Sequence, residues 1–146
     1  MIKYGAWIII CVLLLAGCGG DAGKPAKNAI SIPPAGSVIS VTDPEYFNNL
    51  VFQSPLPVVA WFYSDQSVPC RVASALFDSC AAECTNQVIF ARINLDDHHN
   101  TMLEQQYTLQ ALPTLLVLHS SLERARVTGA ISRDAMAGML NSLSGL

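Results

Sequence analysis

The sequence predicts an α/β fold in which a central mixed β-sheet is flanked by helices. Three observations carry this reading. Residues 58–63 (Val-Val-Ala-Trp-Phe-Tyr) and 88–95 are apolar runs rich in β-branched and aromatic residues, the composition of strands covered on both faces. Between them, apolar residues recur at helical spacing. After Pro113, two further strand candidates are separated by Ser120 and Ser121, the layout of a hairpin.

The elements follow in order. Val38-Ile39-Ser40-Val41 is a short strand candidate, and Thr42 with Glu45 has the capping-box spacing that opens a helix carrying Tyr46, Phe47, Leu50 and Val51. Pro55 and Pro57 end that helix. Ser64 to Ser67 are polar and turn-like before a helix that starts at or just after Ser67, with Val68, Val72, Leu76, Cys80 and Cys84 as its apolar row and Ala73 and Phe77 widening it. Pro69 is tolerated in its first turn. Thr101 with Glu104 opens a short helix through Tyr107. Residues 115–118 are a strand, residues 124–128 its hairpin partner, and Gly129 closes the pair. A last helix begins near Ser132 and buries Met136, Met139, Leu140 and Leu143.

The N-terminus is a targeting segment. Lys3 followed by the apolar run 6–16 has the layout of a secretory signal and is shorter than the ~20 residues a transmembrane helix needs. The run ends in Leu15-Ala16-Gly17-Cys18, which resembles the lipobox of bacterial lipoproteins. The expected organisation is a signal peptide over residues 1–17, an acylated Cys18 (palmitate among its chains) on a flexible tether over residues 18–37, and one domain over residues 38–146. The expected location is the bacterial cell envelope, facing the periplasm, with the outer membrane favoured because Gly19 rather than Asp follows Cys18. Cleavage removes one of eight Lys and Arg, leaving seven against eleven acidic residues, a formal charge of −4 that argues against nucleic acid as a partner.

Of five cysteines, Cys11 leaves with the signal and Cys18 carries lipid, so Cys70, Cys80 and Cys84 remain in an oxidising compartment. An odd count leaves at least one thiol without an intrachain partner.

The residues from 38 to 143 resemble the thioredoxin family. The strand 58–63 leading into Ser67-Val68-Pro69-Cys70 is similar to the family's strand and W-C-G-P-C helix start. The spacing from Cys70 to Asn94-Leu95-Asp96 matches without a gap, and Tyr107-Thr108-Leu109-Gln110-Ala111-Leu112-Pro113-Thr114 is similar to Y-G-I-R-G-I-P-T. The resemblance implies a thioredoxin-like fold in which Pro113 is cis and the backbone around Leu112, Pro113 and Thr114 pairs with an extended peptide. It also implies cell redox homeostasis as the task of a member that retains a reactive thiol.

Three departures bear on function. Ser67 stands where the family's attacking thiol should be, and a hydroxyl cannot form a disulfide, so Cys70 lacks its partner for a dithiol cycle. Gln66 replaces the tryptophan before the motif. Trp61 takes the slot of the buried aspartate that assists proton transfer. Ser67 is read as the helix N-cap rather than a nucleophile, since no pattern places His98, His99 or His119 beside it as a base.

The leading expectation is therefore a lipid-anchored module with a degenerate active site that holds an extended segment of a partner protein without turnover. The first alternative is thiol-disulfide exchange through Cys70 alone. The second is copper handling by Cys80, Cys84 and a histidine, although core packing is the default for that pair, with a strained local disulfide between them a further option, and a solvated loop is the default for His98-His99. No cofactor and no metal ligand set is expected.

Overall fold

The structure is a computed structural model that describes residues 30–84 and 87–145. The stretch read as a signal peptide, Cys18 and the first part of the stretch read as a tether lie outside the described residues. Five strands, β1 (Val38–Val41), β2 (Val58–Tyr63), β3 (Ile89–Asn94), β4 (Thr114–His119) and β5 (Leu122–Thr128), form one sheet in the order β1-β3-β2-β4-β5. β3 runs parallel to β1 and β2, whereas β4 is antiparallel to β2 and β5 to β4. The sheet is mixed.

Alternation along the strands sends neighbouring side chains to opposite faces. On one face Val58, Ala60 and Phe62 join Phe47, Leu50 and Val51 of α1 (Pro44–Gln53) and Leu103 of α3 (Thr101–Gln106). On the other, Val59 and Trp61 join Ala73, Phe77, Cys80 and Ala81 of α2 (Val68–Glu83) and Met136 and Met139 of α4 (Arg133–Asn141). Both faces of β2 are thus covered, which is why its sequence is apolar throughout.

The helix starts depart from the expected caps. Asp43, not Thr42, caps α1, its carboxylate accepting the Glu45 N–H at 2.9 Å. Pro44 explains the shift, because the residue before a proline is held extended and a proline suits the first helical position. A 3₁₀ turn over His98–Asn100 precedes α3, so Thr101 is already helical and its hydroxyl donates back to the His98 carbonyl. Ser132 caps α4 through the Ala135 N–H.

The buried face of α2 is also rotated from the expected row. Val68 and Val72 are 59% and 74% exposed, and Cys70, Ala73, Phe77, Cys80 and Ala81 face the sheet. Residues spaced by four advance about 40° beyond a full turn at each step, so a long i, i+4 row winds off the contact face. Only the later members of that row reach the core.

Of the stretch read as tether, residues 30–37 are described, and Ile30 packs against the α1 side of the core while the Gly36 N–H donates to the Val88 carbonyl. Ser120 and Ser121, with φ of 51° and 62°, make the tight turn between β4 and β5. Among the described residues no helix is long and apolar enough to cross a membrane.

Tyr107 packs against Phe47 and Phe62 at 5.9 and 5.5 Å, and burial pushes its phenol up to about 12. Below pH 10 the phenol is neutral in both folded and unfolded chains. Above it the unfolded chain ionises first, so stability falls across pH 10 to 12. After allowance for the partly exposed ring the loss is about 1–2 kcal/mol. Denaturant unfolding at a series of alkaline pH values should show this loss in the wild type and its absence in Tyr107→Phe.

Candidate functional site

The site is built where β2 ends and α2 begins. Ser64 Oγ and the Asp65 N–H both donate to the carboxylate of Asp96, each at 2.7 Å, and Ser64 Oγ also accepts the Gln66 N–H. Asn94 completes the latch: its Nδ2 donates to Asp65 Oδ2 at 2.8 Å and its Oδ1 accepts the Asp96 N–H. One carboxylate thus ties the turn before α2 to the end of β3. Arg71, in the first turn of α2, donates to the Asp65 carbonyl from the other side.

Ser67 is the N-cap of α2 by backbone conformation, with φ −89° and ψ 119°, but its hydroxyl makes no capping hydrogen bond. Ser67 is thus the N-cap the sequence predicts, without the side-chain hydrogen bond that a serine cap can add. A capping side chain accepts from the second or third N–H of the helix; Pro69 at the second position has none to give, which leaves only that of Cys70 as a possible donor.

Cys70 sits at the third position, 1% exposed. It lines a cleft of about 270 Å³ together with Trp61, Tyr63, Asp65, Arg71, Ser74 and Arg92. Trp61 stacks on Tyr63 at 4.5 Å and lies 4.9 Å from Phe77. The Arg92 guanidinium, on the strand register facing Trp61, lies 5.6 Å from both the Trp61 and Phe77 rings and pairs with Asp78. Among the described residues, Trp61 Nε1 and Arg92 Nε are buried without a hydrogen-bond partner. The wall behind the thiol is therefore an aromatic and guanidinium stack. Desolvation, reinforced by Asp65, pushes the Tyr63 phenol up.

Pro113 is buried at the start of β4, and the Leu112–Pro113 bond is cis. Thr114 pairs with Phe62 across the sheet, so Pro113 lies at the same sheet end as the Ser64 to Ser67 turn. Thr114 Oγ1 donates to the Ala111 carbonyl at 2.7 Å and the Gly129 N–H to the Pro113 carbonyl at 2.9 Å, which pins the entry to the strand. Among the described residues, the N–H and C=O of half-buried Leu112 have no partner.

The remaining cysteines do not join this site. Cys70, Cys80 and Cys84 are all free, and the ten residues of helix from Cys70 to Cys80 span about 15 Å, beyond reach of a disulfide. Burial, then Glu83, pushes both the Cys80 and Cys84 thiols up. Among the described residues, the one group of three ligand-type side chains with atoms within 4.8 Å of one another is Asp97, His98 and His99, so no histidine completes such a group with Cys80 and Cys84. His119 lies at the far end of β4, beside Pro55, Pro57 and Leu143.

Asp96, Arg71 and Arg92 were not singled out as site residues in the sequence. Asp96 had a signal, its fixed spacing from Cys70; Arg92, a single charge inside a buried strand, was a second.

A model of the family described as Thioredoxin matches residues 37–142. The chain belongs to the thioredoxin family. Among curated thioredoxins, that of Allochromatium vinosum is 30% identical over 106 residues, covering 73% of this chain and 96% of its own length. The thioredoxin of Pyropia yezoensis is 31% identical over 105 residues, covering 72% and 95%. Among solved structures, reduced Schistosoma mansoni thioredoxin pre-protein superposes with a TM-score of 0.64 at 20% identity over 73% of this chain and 98% of that one, a likeness of fold. Within the thioredoxin framework, the turn that leads into α2 carries serine, valine, proline and cysteine at positions 67 to 70.

Proposed function

We propose that this thioredoxin-family domain is a lipid-anchored envelope module that binds an extended segment of a partner protein without dithiol turnover. The carrying observation is the unpaired backbone of Leu112 beside buried Pro113, at the sheet end where Ser67 replaces a sulfur. An extended peptide satisfies such a free N–H and C=O by strand addition, and affinity comes from the main chain. With Cys70 almost fully buried and, among the described residues, no second sulfur in reach, bound peptide is held rather than reduced. The anchor in this reading is acylated Cys18, the location the periplasmic side of the envelope, with the outer membrane favoured, and no cofactor is required.

A second reading, thiol exchange through Cys70 alone, draws support from that thiol's place in the wall of the cleft. Both are tested on the purified chain. An array of extended peptides should yield binders that shift the amide resonances of Leu112 and Thr114 and are lost in Pro113→Ala, while brief alkylation of the native protein leaves Cys70 unmodified by peptide mapping. Binders that leave those amides unmoved, or insulin reduction by the wild type, would overturn the first reading. Rapid alkylation of Cys70 would promote the second.

A further inference from the structure

We propose that Asp97, His98 and His99 form a binding site for a borderline divalent cation, with Cu(II) its tightest ligand among the first-row ions. The three residues occupy the turn that follows Asp96, and their placement is determined by the 3₁₀ turn over His98–Asn100. Asp97 caps that turn by accepting the His99 N–H at 3.0 Å. The same oxygen, Oδ1, lies 2.9 Å from His99 Nδ1 and 3.7 Å from His98 Nδ1. The two imidazole rings sit 3.8 Å apart and are inclined by 40°. Two ring nitrogens and one carboxylate oxygen therefore converge on one point, all within 4.8 Å of one another.

The geometry also suits a metal. Nitrogen and oxygen ligands bound at about 2.0–2.2 Å lie at most about 4.4 Å apart, so small rotations of exposed rings close the shell. The histidine side chains are 84% and 62% exposed, which leaves room for those rotations and for waters to complete the coordination. Two imidazoles with one carboxylate favour Cu, Ni and Zn over Mg and Ca, and the Irving–Williams order puts Cu(II) first. Cys80 and Cys84 take no part, so the site is distinct from the sulfur-based copper handling that the sequence allowed. Asp96, next in the chain, latches Ser64 and Asp65, so the bound ion would sit at the sheet end that carries the Ser67 turn. The inference does not depend on peptide binding at Leu112.

The test is Cu(II) titration of the purified full chain, followed by calorimetry and electron paramagnetic resonance. The expected result is one equivalent bound with hyperfine splitting from two imidazole nitrogens. His98→Ala and His99→Ala should each weaken binding by at least about tenfold, and each should leave a one-nitrogen signal. Asp97→Asn should weaken it less, and a Cys80→Ser/Cys84→Ser double variant and His119→Ala should match the wild type. Because both histidines are exposed, circular dichroism of the single variants should be unchanged. A His98→Ala/His99→Ala variant that binds Cu(II) as the wild type does would overturn the proposal, as would copper binding lost only with the cysteines.

Discussion

Ser67→Cys is expected to turn a protein that leaves insulin disulfides intact into one that reduces them. Ser67 is the N-cap of the 16-residue helix α2, its backbone already extended as a cap requires. A thiol placed there would lie beside the first-turn N–H groups and the positive end of the helix dipole, which stabilise the thiolate. With its pKa brought from about 8.5 to about 7, the ionised fraction at neutral pH rises on the order of tenfold. Cys70 is three residues on. Residues at i and i+3 of a helix have Cβ atoms about 5–6 Å apart, and the non-helical cap residue can swing to bring the sulfurs together. The variant should therefore form an intramolecular disulfide under mild oxidation and show catalysed reduction of insulin with dithiothreitol. Its rate should stay below that of dithiol thioredoxins, since Trp61 offers no proton acceptor behind the resolving thiol. A variant whose two thiols titrate independently would show that the turn has lost the geometry of its relatives. Turnover already present in the wild type would show that Ser67 is not the missing piece.

Trp61→Ala should be the most damaging single truncation. The indole is 2% exposed and touches Tyr63, Phe77 and the Arg92 guanidinium. Removing it opens a cavity under α2 and takes from Arg92 one of the two rings beside it. Large aromatic truncations in a core cost about 3–5 kcal/mol. For a domain of this size that lowers Tm by roughly 12–20 °C. Thermal unfolding followed by circular dichroism measures it directly, and Trp61→Phe, which keeps a ring against Phe77 and removes the unpartnered Nε1–H, should lose less than half as much. Equal loss in both variants would mean that a phenyl ring cannot stand in for the indole against Phe77 and Arg92.

Much of the architecture was legible in the chain. The buried runs of β2 and β4 read as strands because both sheet faces are covered, leaving no polar positions to blur the pattern. Ser120-Ser121 read as a turn because the apolar run 115–118 ends just before it and a second strand candidate follows within a few residues. The helix caps were less legible, since capping-box spacing at Thr42 and Thr101 competes with local chemistry. Pro44 moved one start by a residue, and the 3₁₀ turn at His98 pre-empted the other. The face of α2 was misjudged at Val68 and Val72 because a row of apolar residues four apart is a spiral, and the sheet touches only part of it.

The site divides in the same way. The chain by itself determined which sulfurs exist, that Ser67 rather than a cysteine precedes Val68, and that Trp61 occupies a strand, because these are matters of identity and spacing. Only the tertiary structure decided that Asp96 grips the turn, that Arg92 comes beside Trp61, that Cys70 is buried, and that Asp97, His98 and His99 converge. Those facts join side chains from β2, β3, α2 and the loop after β3, and contacts between distant segments follow from strand register and helix orientation, which no local pattern encodes.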